Sequence, residues 1–115
     1  MDNTEIVDSN YTVTYESGTV SCQGYFRLRG TEEYAPIADL LNQVADLKLP
    51  ELTLDVSALE FLNSSGINTL SKFVLRLRRD GPVKLTIKAS ERFPWQKKSL
   101  RNFQKLLPGT AILFS

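Results

Sequence analysis

The sequence contains no histidine. That absence removes Ser-His-Asp and Cys-His nucleophiles, imidazole general bases and His-ligated metal sites. Cysteine is nearly absent as well. The single thiol, Cys22, can form neither an internal disulfide nor a thiolate zinc cage. A lone thiol fits a reducing compartment. No run approaches the ~18 consecutive apolar residues of a membrane helix. The first ten residues, MDNTEIVDSN, lack the basic and apolar regions of a secretory signal. These absences predict a cytoplasmic protein with no membrane partner. A surplus of one charge is missing too. The 14 basic and 13 acidic residues leave a net charge of +1, which argues against a general nucleic-acid binder. There is no G-x-x-x-x-G-K phosphate loop and no carboxylate pair in a recognisable acid–base setting. No enzyme, metal or cofactor is expected.

What is present fits one compact domain. The chain has 115 residues, 42% of them hydrophobic, enough to fold without metal or disulfide staples. Residues 1–9 read as a flexible lead-in and 10–115 as a single domain. Tyr11, Val13 and Tyr15 alternate with polar residues, the period of a half-buried strand. Ser17-Gly18 turns the chain, and Thr19 to Leu28 returns as the second strand of a hairpin. Gly24 within it predicts a bulge or a close backbone approach. Thr31 is a candidate helix cap, and Pro36 sets the helix start near Ala35. The helix stripe is Ile37, Leu40, Leu41, Val44 and Leu47.

Leu52, Leu54 and Val56 then predict a short strand, and Ala58 to Asn63 a loop. A second helix runs from Ser64 to Arg79, and Val83 to Ile87 is a strand. Pro94 opens a third helix ending near Leu107, and Ala111 to Phe114 is a last strand. The order β-β-α-β-α-β-α-β predicts an α/β fold with three helices. Its sheet is mostly parallel, has about five strands and begins with an antiparallel hairpin. In such sheets function gathers at the carboxyl ends of strands, here residues 57–67.

That segment reads Asp55-Val56-Ser57-Ala58-Leu59-Glu60-Phe61-Leu62-Asn63-Ser64-Ser65-Gly66-Ile67. It resembles the STAS domain of bacterial anti-sigma factor antagonists. Members of that family end the strand with Asp-Leu-Ser and open the next helix with Asp-Ser-Ser-Gly or Asp-Ser-Thr-Gly. Asp55, Ser57, Phe61, Ser64, Ser65 and Gly66 fall at matching spacing, and the element order matches from about Tyr11 to Phe114. The resemblance implies a regulatory protein–protein module acting in signal transduction and transcription regulation. It implies phosphorylation of Ser64 by an anti-sigma factor that is also a Ser kinase of the histidine-kinase ATPase fold. The unphosphorylated form would bind that partner. Asn63 stands where the family has Asp, keeping the cap but losing the charge. The family's last helix is absent, which leaves a flank open to a partner or to a second copy in a homodimer.

The residues support a switch on independent grounds. A helix amino terminus has unpaired N–H groups and partial positive charge, so it tolerates a phosphate. The phosphate adds about −1.5 to −2 charges. Gly66 is expected to leave the first turn uncovered for a partner. The plain alternative is that Asn63 and Ser64 merely start a helix, that Ser65 partners a helix N–H, and that Asp55 and Ser57 bond within a loop. The domain would then be a fixed docking or scaffold piece. A third reading rests on charge. Residues 1–71 hold 11 acidic and three basic side chains, whereas residues 72–115 hold two acidic and 11 basic. Lys97, Arg101 and Lys105 share one helix stripe, which is either a solvated face or a site for acidic ligands, with Trp95 as an interface anchor or a core residue. Cys22 is expected to be a small buried residue rather than a reactive thiol.

Overall fold

The computed structural model describes residues 4–115. Six strands and three helices follow the order β1 (Thr4–Val7), β2 (Tyr11–Glu16), β3 (Thr19–Phe26), α1 (Gly30–Asp46), β4 (Glu51–Leu62), α2 (Ser64–Asp80), β5 (Lys84–Ala89), α3 (Pro94–Leu106) and β6 (Ala111–Phe114). The strands form one sheet in sequential order, β1 to β6. The β1–β2 and β2–β3 pairings are antiparallel, and the three that follow are parallel.

Sequential order has a consequence for layering. Crossovers of one hand that always advance the same way lay their helices on the same face. α1 packs on α2, and α2 on α3. The strands accordingly alternate between buried and partly exposed residues, as in Tyr11, Val13 and Tyr15 against Thr12 and Thr14. The core fills the space between sheet and helices, with Phe26, Tyr34, Ile37, Leu54, Leu59, Leu70, Ile87 and Phe103 fully buried. The far face of the sheet carries polar residues such as Ser21, Thr53, Ser57 and Thr86. The β2–β3 turn places Ser17 and Gly18 at positive φ, 48° and 81°, the backbone of a type I′ hairpin turn. The close approach expected at Gly24 is present. A Cβ there would lie 2.3 Å from the Asn10 carbonyl oxygen.

Three sequence expectations are corrected. Residues 4–7, placed in the lead-in, form the edge strand β1 against β2; residues 1–3 lie outside the described residues. α1 begins at Gly30 rather than near Ala35, and Thr31 is not its cap. Instead Glu33 reaches back and accepts from the Arg29 N–H at 2.8 Å. Pro36 sits within the helix. It cannot donate to the Glu32 carbonyl, but both residues are exposed, so water reaches the orphaned oxygen. The third correction is the stretch from Ala58 to Leu62. It is not a loop but the second half of a 12-residue β4. Register shifts against β3, between Ser21 and Gln23 and between Gly24 and Tyr25, interrupt its alternation.

The carboxyl-terminal ends of α1 and α2 are tied by charge. The Arg76 guanidinium donates to the Asn42 carbonyl at 3.0 Å and to the carboxylates of Asp46 and Asp80. Lys48 pairs with Asp80 at 3.0 Å. Lys48 and Arg76 together hold the Asp80 carboxyl below the usual carboxylate range.

Candidate functional site

β4 pairs with β5 only as far as Asp55. Beyond that point one edge of β4 has no strand beside it among the described residues, and its carbonyls need other donors. The start of α3 supplies them. The buried Gln96 side chain donates to Val56 O at 2.7 Å and Leu59 O at 3.0 Å. Its own oxygen accepts from the Ser90 N–H at 2.8 Å. The Trp95 indole N–H donates to Leu59 O at 3.1 Å. Trp95 is therefore spent inside the fold, half-buried against the core. The sequence reading passed over Gln96. Its signal was an amide in line with Leu100, Phe103 and Leu107 on the apolar stripe of α3.

At the end of β4 the chain enters α2 through Asn63. Its Oδ1 accepts from the Gly66 N–H at 2.9 Å and from the Tyr34 hydroxyl at 2.7 Å. Its Nδ2 donates to Leu28 O at 2.7 Å. One amide thus caps α2, meets α1 and anchors the chain just after β3. This explains the neutral residue at this position. A carboxylate would set an oxygen, not a donor, against the Leu28 carbonyl. Burial pushes the Tyr34 hydroxyl up to about 12, so it remains a donor at neutral pH.

Gly66 is buried, not uncovered. A Cβ there would lie 2.4 Å from Leu62 Cδ1 and 2.8 Å from the Tyr34 oxygen. The glycine admits the chain's own Tyr34 rather than a partner. Ser64 is exposed as the first residue of α2. Ser65 is partly buried, and its carbonyl accepts from Thr69 Oγ1 at 2.9 Å. The first turn of α2 carries no acidic side chain.

Asp55 and Ser57 stand apart from Ser64. Asp55 Oδ1 accepts from both the backbone N–H and the hydroxyl of Ser57, at 3.0 and 2.6 Å. This pair sits at a register shift inside β4, not in a loop at its end. Five strand steps at ~3.3 Å put roughly 16 Å between Ser57 and Leu62. The motif therefore spans two separate places. Asp55 also faces Cys22 electrostatically. Burial first, and that carboxylate second, push the Cys22 thiol up to about 12, which makes it an inert core residue.

Near Ser64, on the open face, lies a cluster the sequence showed only in part. Tyr25 and Phe61 pair across β3 and β4 and are 37% and 40% exposed. The Arg27 guanidinium lies over both rings, 4.8 and 5.1 Å from their centres. Phe26 and Tyr34, neighbours of this cluster in sequence or space, are core. Lys97, Arg101 and Lys105 are exposed along α3. Among the described residues no group of three His, Cys, Asp or Glu side chains is placed to hold a metal ion. No helix among them is long and apolar enough to cross a membrane.

No protein-family profile matches the chain, and no curated protein matches it in sequence. Solved structures do match. A chain of the complex between the diguanylate cyclase SiaD and its activator SiaC from Pseudomonas aeruginosa aligns with a TM-score of 0.72 and 20% identity, over 97% of this chain and 99% of that one. SiaC of Pseudomonas aeruginosa itself gives 0.67 and 18%, over 100% and 97%. An anti-sigma factor antagonist from Mycobacterium paratuberculosis gives 0.61 and 22%, over 96% and 86%. Identities this low speak to architecture. The α/β arrangement of this chain, with three helices on a mixed sheet that begins with an antiparallel hairpin, is the STAS-like fold.

Proposed function

We propose that this chain is a regulatory protein-binding module of the cytoplasm, with Ser64 as the residue whose phosphorylation switches binding. The carrying observation is the setting of Ser64. An exposed hydroxyl opens α2 while its neighbours Asn63 and Gly66 are locked to Tyr34, Leu28 and Leu62. A phosphate on such a rigid frame meets the positive end of a helix and need not unfold the domain. It adds about −1.5 to −2 charges to a surface that a partner would meet as a neutral hydroxyl. Tyr25, Arg27 and Phe61 supply the residue types that anchor interfaces.

The partner in this reading is an anti-sigma factor or a Ser kinase of the histidine-kinase ATPase fold. An anti-sigma factor antagonist shares the architecture. SiaC, which activates a diguanylate cyclase and forms a complex with it, shares it too. Both are regulators rather than catalysts, and we assign this chain no reaction of its own. Asn63 favours a second reading, a docking domain without a phosphate switch. Its amide is committed to three structural bonds and carries no charge with which to assist phosphoryl transfer.

Phosphosite mapping of the chain isolated from its own cells decides between them. The first reading expects phosphate on Ser64 in a fraction of molecules and none on a Ser64→Ala chain. Phosphate on another residue overturns the assignment to Ser64, and none under any growth condition supports fixed docking.

A further inference from the structure

The helical layer is electrically polarised across its width. α1 carries Glu32, Glu33, Asp39 and Asp46 and no basic residue. α3 carries Lys97, Lys98, Arg101 and Lys105 and no acidic one. α2 lies between them. At ~8–10 Å between packed helices, roughly 18 Å separates the two outer axes. That exceeds the ~8 Å screening length at physiological salt, so the flanks do not neutralise each other within one molecule. Among the described residues no α3 cation forms an ion pair, and neither does Glu32 or Asp39.

The same flanks are the free edges of the sheet. β1 and β6 each hold four residues and, among the described residues, pair on one side only. Among the described residues, three of the six exposed large hydrophobics lie on them: Val7 at 67%, Leu113 at 56% and Phe114 at 38%. The short length of these strands limits pairing, but their unpaired N–H and C=O groups still offer a row to which another strand can add. β1 is antiparallel to β2, which is antiparallel to β3. β1 therefore runs parallel to β6.

A sideways displacement of one copy brings β6 against the next copy's β1 in parallel, continuing the sheet. The same displacement brings α3 against the next copy's α1. Both helices run back against the strands they connect, so they point the same way. Lys98 and Lys105 are seven residues apart, as are Glu32 and Asp39. On a helix each interval is about 10.5 Å. The two charge spacings therefore match.

We propose that the chain associates head to tail with further copies of itself, the α3–β6 flank of one on the α1–β1 flank of the next. Contacts of this heterologous kind build open chains unless a rotation closes them into a ring. The inference does not depend on Ser64.

Sedimentation velocity of the full chain across a wide concentration range, at low and high salt, tests it. Two charge-reversed forms complete the experiment: Lys98→Glu with Lys105→Glu, and Glu32→Lys with Asp39→Lys, each checked for folding by circular dichroism. The wild type should gain mass with concentration and lose it with salt. Each reversed form alone should associate about tenfold or more weakly, because like charges then face each other. An equimolar mixture of the two should recover association, since the reversed α3 meets the reversed α1. A wild type that stays monomeric overturns the proposal. So do folded variants that associate like the wild type, or a mixture that stays monomeric. A monomeric wild type that binds polyglutamate through α3 would instead give the basic flank to an acidic partner.

Discussion

The Tyr34 hydroxyl donates a 2.7 Å hydrogen bond to Asn63 Oδ1, and through it the second turn of α1 holds the cap of α2. Tyr34 is 1% exposed, so its hydroxyl has no water as a ready substitute. Tyr34→Phe should cost about 1 kcal/mol, the net worth of one hydrogen bond. Asn63→Ala should cost about 2–3 kcal/mol, because it removes the cap and also leaves Leu28 O and the Tyr34 hydroxyl unpaired. Urea denaturation of both variants and their double mutant should return a coupling of about 1 kcal/mol. Additive losses would show that the two side chains do not act on each other.

Among the described residues Gln96 is the side chain that satisfies Val56 O at the unpaired edge of β4, and it also serves Leu59 O and the Ser90 N–H. Gln96→Ala should lower stability by about 3 kcal/mol through unpaired buried groups and a cavity. Gln96→Glu places a carboxylate against two carbonyl oxygens, which raises its folded-state pKa above the unfolded value. Its stability should therefore be best at acidic pH and fall as pH rises through that raised pKa. Chemical denaturation at several pH values reads both effects.

Gly66→Ala should destabilise by about 1–3 kcal/mol. The added methyl meets Leu62 Cδ1 and the Tyr34 oxygen at 2.4 and 2.8 Å. Ordinarily alanine favours a helix over glycine by about 1 kcal/mol. A stabilised variant would mean that Tyr34 does not seat against this turn.

Alkaline unfolding should reflect two buried groups. Cys22 and Tyr34 are raised from 9.0 and 10.0 to about 12, in each case mainly by burial. Both lose protons more readily in the unfolded chain. Their contribution is complete below pH 9 and falls away as pH rises toward 12. Cys22→Ala should flatten the first part of that decline. At the acidic end the sign reverses. The Asp80 carboxyl is lowered by Lys48 and Arg76, so its contribution is present above the ordinary carboxylate pKa and lost as pH falls through the lowered value. Thermal melts across pH should show both limbs.

Much of this was legible in the sequence, because local pattern carries it. Alternation exposed β2, the 3.6-residue stripes exposed α1 and α2, and Pro94 opened α3 where expected. The failures have physical causes. Thr4–Val7 is a short edge strand with one partly buried side and too few residues to show a period. Pro36 misled because its lost hydrogen bond falls on the exposed side of α1, where water replaces it. The second half of β4 was hidden by register shifts that break alternation. The Ser64 region was found by motif, whereas the partners that fix it, Tyr34 and Leu28, lie 29 and 35 residues from Asn63. Spacing along the chain does not carry contacts of that range.

The central claim is that charge at Ser64 decides which protein binds. Baits carrying Ser64→Ala and Ser64→Asp, presented side by side to a lysate of the source cells and read by mass spectrometry, test it most directly. An ATPase-type Ser kinase or anti-sigma factor retained by the alanine bait and lost from the aspartate bait is the predicted result. The same partners on both baits would contradict the switch and leave a fixed docking domain.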